Sequence, residues 1–182
     1  MILPIVKYGD PVLRAKGEPI GEITEEIHTL AADMLDTMRA ARGVGLAAQQ
    51  IGRALQIAIV DVAGIEDRPS LMLINGEEVN VDEHMPMVLI NPELQFTKER
   101  ETESEGCLSF PEISADISRP AGVRCKARLL DGRTVEFDAA GLLARAVQHE
   151  HDHLHGILFI DRMNSATKAG LASKLKRMQK GA

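Results

Sequence analysis

Apolar residues fall at helical spacing from Ile27 onward: Ile27, Leu30, Ala31, Met34, Leu35, Met38 and Ala41 make one inward stripe. The helix they predict begins near Thr24, carries Glu25 and Glu26 in its first turn, and stops at Gly43. A small-residue run follows, Gly43-Val44-Gly45-Leu46-Ala47-Ala48-Gln49-Gln50. The pattern then turns β-rich, with strand candidates at Leu55 to Val62, Leu71 to Ile74, Met87 to Asn91 and Leu94 to Thr97. Pro92 is expected to interrupt the last two, because proline cannot donate to a β-ladder. Residues Gly122 to Leu130 and Thr134 to Asp138 flank Asp131-Gly132, a tight hairpin turn in which glycine supplies the positive φ. A second helix is predicted from Gly141 to His155, capped by Gly156, and a third over Asn164 to Lys180. No repeat, low-complexity tract or linker divides this pattern. The expectation is one α+β domain over residues 1–182.

Composition removes several function classes. A chain of 182 residues can bury roughly 70% of its unfolded surface, so a metal is not required merely for folding. No apolar stretch reaches the roughly 20 residues of a membrane span, and Met1-Ile2-Leu3-Pro4-Ile5-Val6-Lys7 resembles neither a signal nor a transit peptide. A cytoplasmic location is the expectation. The net charge of −6 argues against broad nucleic-acid binding, and four Phe, one Tyr and no Trp leave few platforms for base stacking. The last predicted helix is a local exception, with Lys168, Lys174, Lys176, Arg177 and Lys180. That face reads as a solvated basic helix, with ribosome association as the alternative. Two cysteines, Cys107 and Cys125, do not make a disulfide framework.

The chemistry concentrates in Gln148-His149-Glu150-His151-Asp152-His153-Leu154-His155. His149 and His153 form an H-E-x-x-H pattern: two imidazoles four residues apart share a helix face and can hold one metal ion. Glu150 then stands close enough to move a proton on water without being a ligand. His151 and His155 offer a rival pair at the same spacing. At ~100° per residue, Leu142, Leu143, Ala146, Val147 and Leu154 define an inward arc that includes Glu150 and His153 and has His149 at its edge. His151 and His155 fall outside it, beside Gln148 and Arg145, and are expected to face solvent. His28 and His84 read as surface or hydrogen-bonded histidines.

A catalytic zinc-like site commonly has three protein ligands, so one more is needed. Cys107, Cys125, His84 and many carboxylates are available. Cys125 lies within a regular strand pattern, where a small buried thiol is the ordinary expectation. Cys107 lies in Glu105-Gly106-Cys107-Leu108-Ser109-Phe110-Pro111, an irregular stretch bounded by Gly and Pro, where a thiolate could reach a metal.

Three segments together, G-x-G-x-A-A-x-Q at Gly43 to Gln50, E-G-C-L-S at Glu105 to Ser109, and H-E-x-x-H with a following Leu at His149 to Leu154, resemble the motifs of bacterial-type peptide deformylases. The similarity runs from Ile-Val-Lys-Tyr-Gly-Asp-Pro-Val-Leu-Arg near the start to Phe159-Ile160-Asp161. The resemblance implies antiparallel and mixed sheets around a central metal-binding helix. It also implies Cys107, His149 and His153 as ligands, with Fe(II) expected and Ni, Co or Zn as replacements. The implied reaction removes the formyl group from N-formyl-methionine at the ends of new proteins. In the implied mechanism a metal-bound hydroxide would attack the formyl carbon, Glu150 would be general acid and base, and the Gln50 amide and the Leu108 N–H would hold the developing oxyanion. The small residues of the first motif, Gly45 among them, would let substrate pair with the backbone in strand fashion. Val44, Leu142, Arg145 and Ala146 are expected near the methionine pocket, with Glu105 and Gly106 beside it. Glu105 and Arg119 are a candidate supporting ion pair. An H-E-x-x-H peptidase that cuts internal bonds, and a silent metal-binding or ribosome-associated protein, are the competing readings. Ala63 to Pro86 exceeds the usual link between two strands, and is expected to form a hairpin or a surface loop.

Overall fold

The computed structural model describes residues 1–181. Helix α1 (Glu25–Ala40) forms where the apolar stripe predicts it. The Thr24 hydroxyl accepts from the Ile27 N–H, Glu25 and Glu26 complement the N-terminal dipole, and Ile27, Leu30, Ala31, Met34 and Met38 are buried. Its side chains pack on the short strand β1 (Gly45–Ala47) and on β2 (Ile57–Val60), whose four residues are all buried.

The long link between β2 and the next central strand is structured. Strand β3 (Ser70–Ile74) turns through Asn75 and Gly76, with φ of 52° and 78°, into β4 (Glu77–Glu78). Two consecutive positive φ values are what a two-residue hairpin turn requires. Of the two forms expected for Ala63 to Pro86, the hairpin is the one present. β3 also extends the main sheet by pairing with a later strand.

Strand β5 (Met87–Phe96) runs through Pro92, contrary to the expected interruption. Its register shifts between Ile90 and Glu93, and Asn91 has a φ of 51°. Proline is tolerated because the bulge needs no ladder N–H there. The Asn91 side chain turned out by this bulge accepts from the Ile20 N–H at 2.8 Å and donates to the Ile20 carbonyl at 2.7 Å.

Strands β6 (Arg100–Gly106) and β7 (Ser114–Pro120) form a separate two-stranded sheet that hydrophobic patterning does not predict. β6 reads Arg-Glu-Thr-Glu-Ser-Glu-Gly, and its one buried side chain is a carboxylate, Glu105. Strands β8 (Gly122–Arg128) and β9 (Thr134–Ala140) make the expected hairpin. The main sheet has the order β1-β2-β5-β8-β9-β3-β4, with every neighbouring pair antiparallel.

Helix α2 (Gly141–Leu154) lies between the sheets, and all its residues except Gly141 and His151 are buried. This corrects the amphipathic reading. Gln148 and Arg145, expected outside, are 3% and 6% exposed. A helix enclosed on all sides has no solvent face from which an inward arc can be defined. Its first turn is fixed by the start of the β3–β4 hairpin: the Leu142 N–H donates to the Pro69 carbonyl and the Leu143 N–H to the Ser70 hydroxyl. Helix α3 (Ser165–Lys180) buries Leu175 in a cluster with Leu13, Phe110 and Phe159, and leaves Lys168, Lys176, Arg177 and Lys180 exposed. Among the described residues no helix is long and apolar enough to cross a membrane.

Candidate active site

α2 presents His149 and Glu150 to a cavity of about 640 Å³, the end of β6 brings Cys107 to the same place, and His153 lies one turn further along the helix, beside Cys107. The Cys107 Sγ lies 3.4 Å from the His153 Nε2, and one ligand atom from each of Cys107, His149 and His153 lies within 4.8 Å of the others. The two rings, 5.0 Å apart, meet at 61°. Thiolate and imidazole suit a borderline divalent ion, and three donors leave coordination positions open. Beside them Glu150 Oε1 is buried and meets no hydrogen-bond partner among the described residues. A buried, unpartnered carboxylate oxygen next to three converging donors fits a cation that carries water.

Gln50 is held at both ends. Its Oε1 accepts from the Ala47 N–H at 3.0 Å, which turns its NH₂ toward the Ser109 hydroxyl at 3.2 Å and the Cys107 sulfur at 3.6 Å. Gln49, its neighbour, faces away and donates to the Ala15 carbonyl. Gly45 is required by close approach: a Cβ there would stand 2.8 Å from the Glu150 Cδ. The Leu108 carbonyl accepts from Lys7 Nζ, and the Leu108 N–H donates to no protein group among the described residues. Val44, Leu142 and Ala146 line the cavity near this centre.

Glu105 organises the charges behind the site. One carboxylate oxygen receives Arg119 Nε at 2.6 Å and Arg145 Nη1 at 2.7 Å; the other receives Arg119 Nη2 at 3.0 Å and the His149 Nδ1 at 2.9 Å. The proposed pair with Arg119 is present and belongs to a longer ladder: Arg119 also binds Asp152, which binds Arg162 through both oxygens. Arg145 lines the cavity, yet its guanidinium donates to Glu105 and to the carbonyls of Ile117 and Glu101. Sequence reasoning placed Arg145 near substrate and missed that commitment. It also missed Ser109, Asp152 and Arg162. Ser109 closes the E-G-C-L-S motif and Asp152 sits among the histidines, so both had a local signal; Arg162 had none.

The Glu105 contact fixes His149 with Nδ1 facing the carboxylate and Nε2 free for the donor cluster. Burial alone would raise the Glu105 pKa, but hydrogen bonds from His149 and Arg119 and the charge of Arg119 hold it well below the usual carboxylate range. Burial dominates at Glu150 and pushes its carboxyl up to about 7. Burial works against a proton on His149, yet Glu150, Cys107 and Glu105 raise its pKa well above normal. His153 is pushed down by burial and by His149. The enclosed pair thus accommodates one positive charge rather than two, a place that a metal cation can take from a proton.

The match to polypeptide deformylases spans residues 2–169. The chain belongs to the polypeptide deformylase family. Curated peptide deformylases from Methylacidiphilum infernorum and Opitutus terrae are 46% and 45% identical to it, with alignments covering 100% and 99% of this chain and 95% and 94% of theirs. A plant peptide deformylase crystal structure superposes with a TM-score of 0.84 at 35% identity, covering 98% of this chain and 90% of that one. The antiparallel sheets and three helices are therefore those of a deformylase fold, and the chain is a hydrolase of the family that acts on formyl-methionine amides. All three motif segments contribute to one cavity: Gly43, Val44, Gly45 and Gln50 from the first, Glu105 to Leu108 from the second, and His149 and Glu150 from α2.

Proposed function

We propose that this chain releases formate from N-formyl-methionyl peptides, using one divalent ion held by Cys107, His149 and His153. The observation that carries the reading is the convergence of these three donors within 4.8 Å beside the buried Glu150. Fe(II) is the ion assigned from the family resemblance, with Ni, Co or Zn compatible with the same soft and imidazole donors. When bound, the ion acidifies a water and polarises the formyl carbonyl. Glu150, with a pKa near neutrality, takes the proton from the attacking water at its free oxygen and delivers it to the departing amine. The Gln50 NH₂, oriented by the Ala47 N–H, and the unpartnered Leu108 N–H are the donors for the oxygen that gains charge. Val44, Gly45, Leu142 and Ala146 shape the wall against the methionine, with Gly106 beside Cys107. Glu105 and Arg145 act from behind that wall, Glu105 by orienting His149 and Arg145 by neutralising Glu105.

Protein prepared without oxygen should release formate from a formyl-Met tripeptide in proportion to its metal content, both measured on one sample. Cleavage of an internal peptide bond with no formate would select the peptidase alternative.

A further inference from the structure

Beyond the donor cluster, the cavity opens onto a rim that carries Lys7, Arg42 and Arg68. Among the described residues that line the cavity, the one exposed carboxylate is Glu112; Glu105 and Glu150 in the cavity wall are buried. Among the described residues no carboxylate approaches Arg42 or Arg68 within 4.0 Å, although Glu66 and Asp67 directly precede Arg68. A protein of net charge −6 thus presents a locally positive mouth.

Both arginines sit on fixed backbone. Arg42 follows the end of α1, anchored by its own N–H on the Arg39 carbonyl and by the Gly43 N–H on the Met38 carbonyl. Its φ is 58°, a left-handed conformation at a helix-ending position that glycine fills without strain. A strained, cationic side chain kept at a cavity mouth points to a role for that side chain. Arg68 directly precedes Pro69 and Ser70, which hold the first turn of α2, so the hairpin segment delivers it to the cavity at a set distance from the helix that carries Glu150.

A cavity of about 640 Å³ has room for more than one formyl-methionine, in the range that encloses ligands of tripeptide size. With the formyl carbon at the donor cluster, the rest of the peptide leaves through the mouth where the arginines stand. We propose that Arg42 and Arg68 select formyl-methionyl peptides bearing an acidic side chain shortly after the methionine. This inference rests on the deformylase reading of the site. Neither arginine is hydrogen-bonded to Gln50 or Cys107 or salt-bridged to Glu150, so the preference is assigned to binding: it lies in KM and leaves kcat unchanged.

The test compares formyl-Met-Ala-Asp-amide with formyl-Met-Ala-Asn-amide, which differ in one side-chain charge and carry no terminal carboxylate. At an ionic strength of about 0.01 M, kcat/KM for the Asp peptide should exceed that for the Asn peptide about threefold to tenfold, falling to within about twofold near 1 M salt. In the Arg42→Gly, Arg68→Gln double variant the ratio should be near one at both salts. Arg42→Gly alone relieves the positive φ, so its thermal midpoint should not fall, and loss of preference cannot then be ascribed to misfolding. Lys7 is left unchanged because it contacts Leu108. Equal constants for the two peptides in the unmodified protein, or a preference that survives in the double variant, would overturn the proposal. Calorimetric binding of Met-Ala-Asp-amide and Met-Ala-Asn-amide reads the same discrimination without turnover. Discrimination in binding without formate from either substrate would support the selective mouth and overturn the deformylase reading; formate from both without discrimination would do the reverse.

Discussion

Helix α2 carries two histidine pairs with the same four-residue spacing, and their surroundings differ. His149 and His153 have ring centroids 5.0 Å apart, a thiol 3.4 Å from one ring and a carboxylate 2.9 Å from the other. His151 and His155 have centroids 4.4 Å apart and no third donor among the described residues that would complete a metal-binding group. They are half-buried rather than solvent-facing as expected. The His155 Nδ1–H donates to the His151 carbonyl of the same helix, and burial followed by the neighbouring His155 pushes His151 down to about 4. Spacing brings two imidazoles together in both cases. What distinguishes the pairs is what other elements deliver: β6 brings Cys107 and Glu105 to one side of the helix, while on the other Arg162 is already bound to Asp152 of α2 itself.

The largest expected effect breaks the proton role on the first side. Glu150→Gln keeps the shape of the cavity and the three donors, so metal content should stay near that of the unmodified protein while the rate of formate release falls by about 10² to 10⁴. Turnover within tenfold of normal would remove Glu150 from the mechanism. Glu105→Gln comes next. It leaves Arg119 and Arg145 buried without their shared carboxylate, a loss on the order of 3–5 kcal/mol in stability, and weakens metal binding about 10- to 100-fold through the freed His149 ring. Denaturant unfolding and metal competition read the two losses separately, and an unchanged metal affinity in a folded variant would deny Glu105 its orienting role.

These two residues also mark the boundary of what the sequence could tell. The α1 stripe, the Asp131-Gly132 hairpin and the H-E-x-x-H helix are local patterns, and local patterns survive in a single sequence. β6 could not be read this way: its buried side chain is charged and its neutralising partners lie 14 and 40 residues away. Pro92 misled for a related reason, because a bulge is a property of the pairing and not of the strand alone. On α2 the wheel placed His149 and His153 correctly relative to Glu150 but misplaced Arg145 and Gln148. The periodicity argument assumes one wet face, and here charged side chains are buried against charged partners.

The two cysteines sharpen the comparison at smaller amplitude. Cys125 is fully buried on β8, and burial pushes its thiol up to about 12. At pH 8 only roughly one molecule in ten thousand would hold it as thiolate. Because the folded value lies above the unfolded one, the contribution to stability is whole below the unfolded pKa and is lost as pH rises toward the folded value. Cys107 is partly exposed in the cavity. Metal-stripped, folded protein should therefore take up one equivalent of an alkylating reagent at Cys107, and the second only in denaturant, with bound metal protecting the first. Alkylation of Cys125 in the folded protein at a comparable rate would contradict the burial, and failure of metal to protect Cys107 would contradict its place among the ligands.

The smallest effect belongs to the second histidine pair. Replacing both His151 and His155 with Gln removes a half-buried ring contact and one hydrogen bond within the helix end. Such contacts are worth about 1 kcal/mol, and the neighbouring Arg119–Asp152–Arg162 ladder does not depend on either ring. Stability should fall by no more than about that amount, with one metal per chain retained and formate release within twofold of normal. A variant that lost its metal while remaining folded would show that spacing on the helix, and not the donors brought by β6, decides which pair binds. Retention of metal under the same measurement that reports its loss from His149→Gln would place the decision with Cys107 and Glu105.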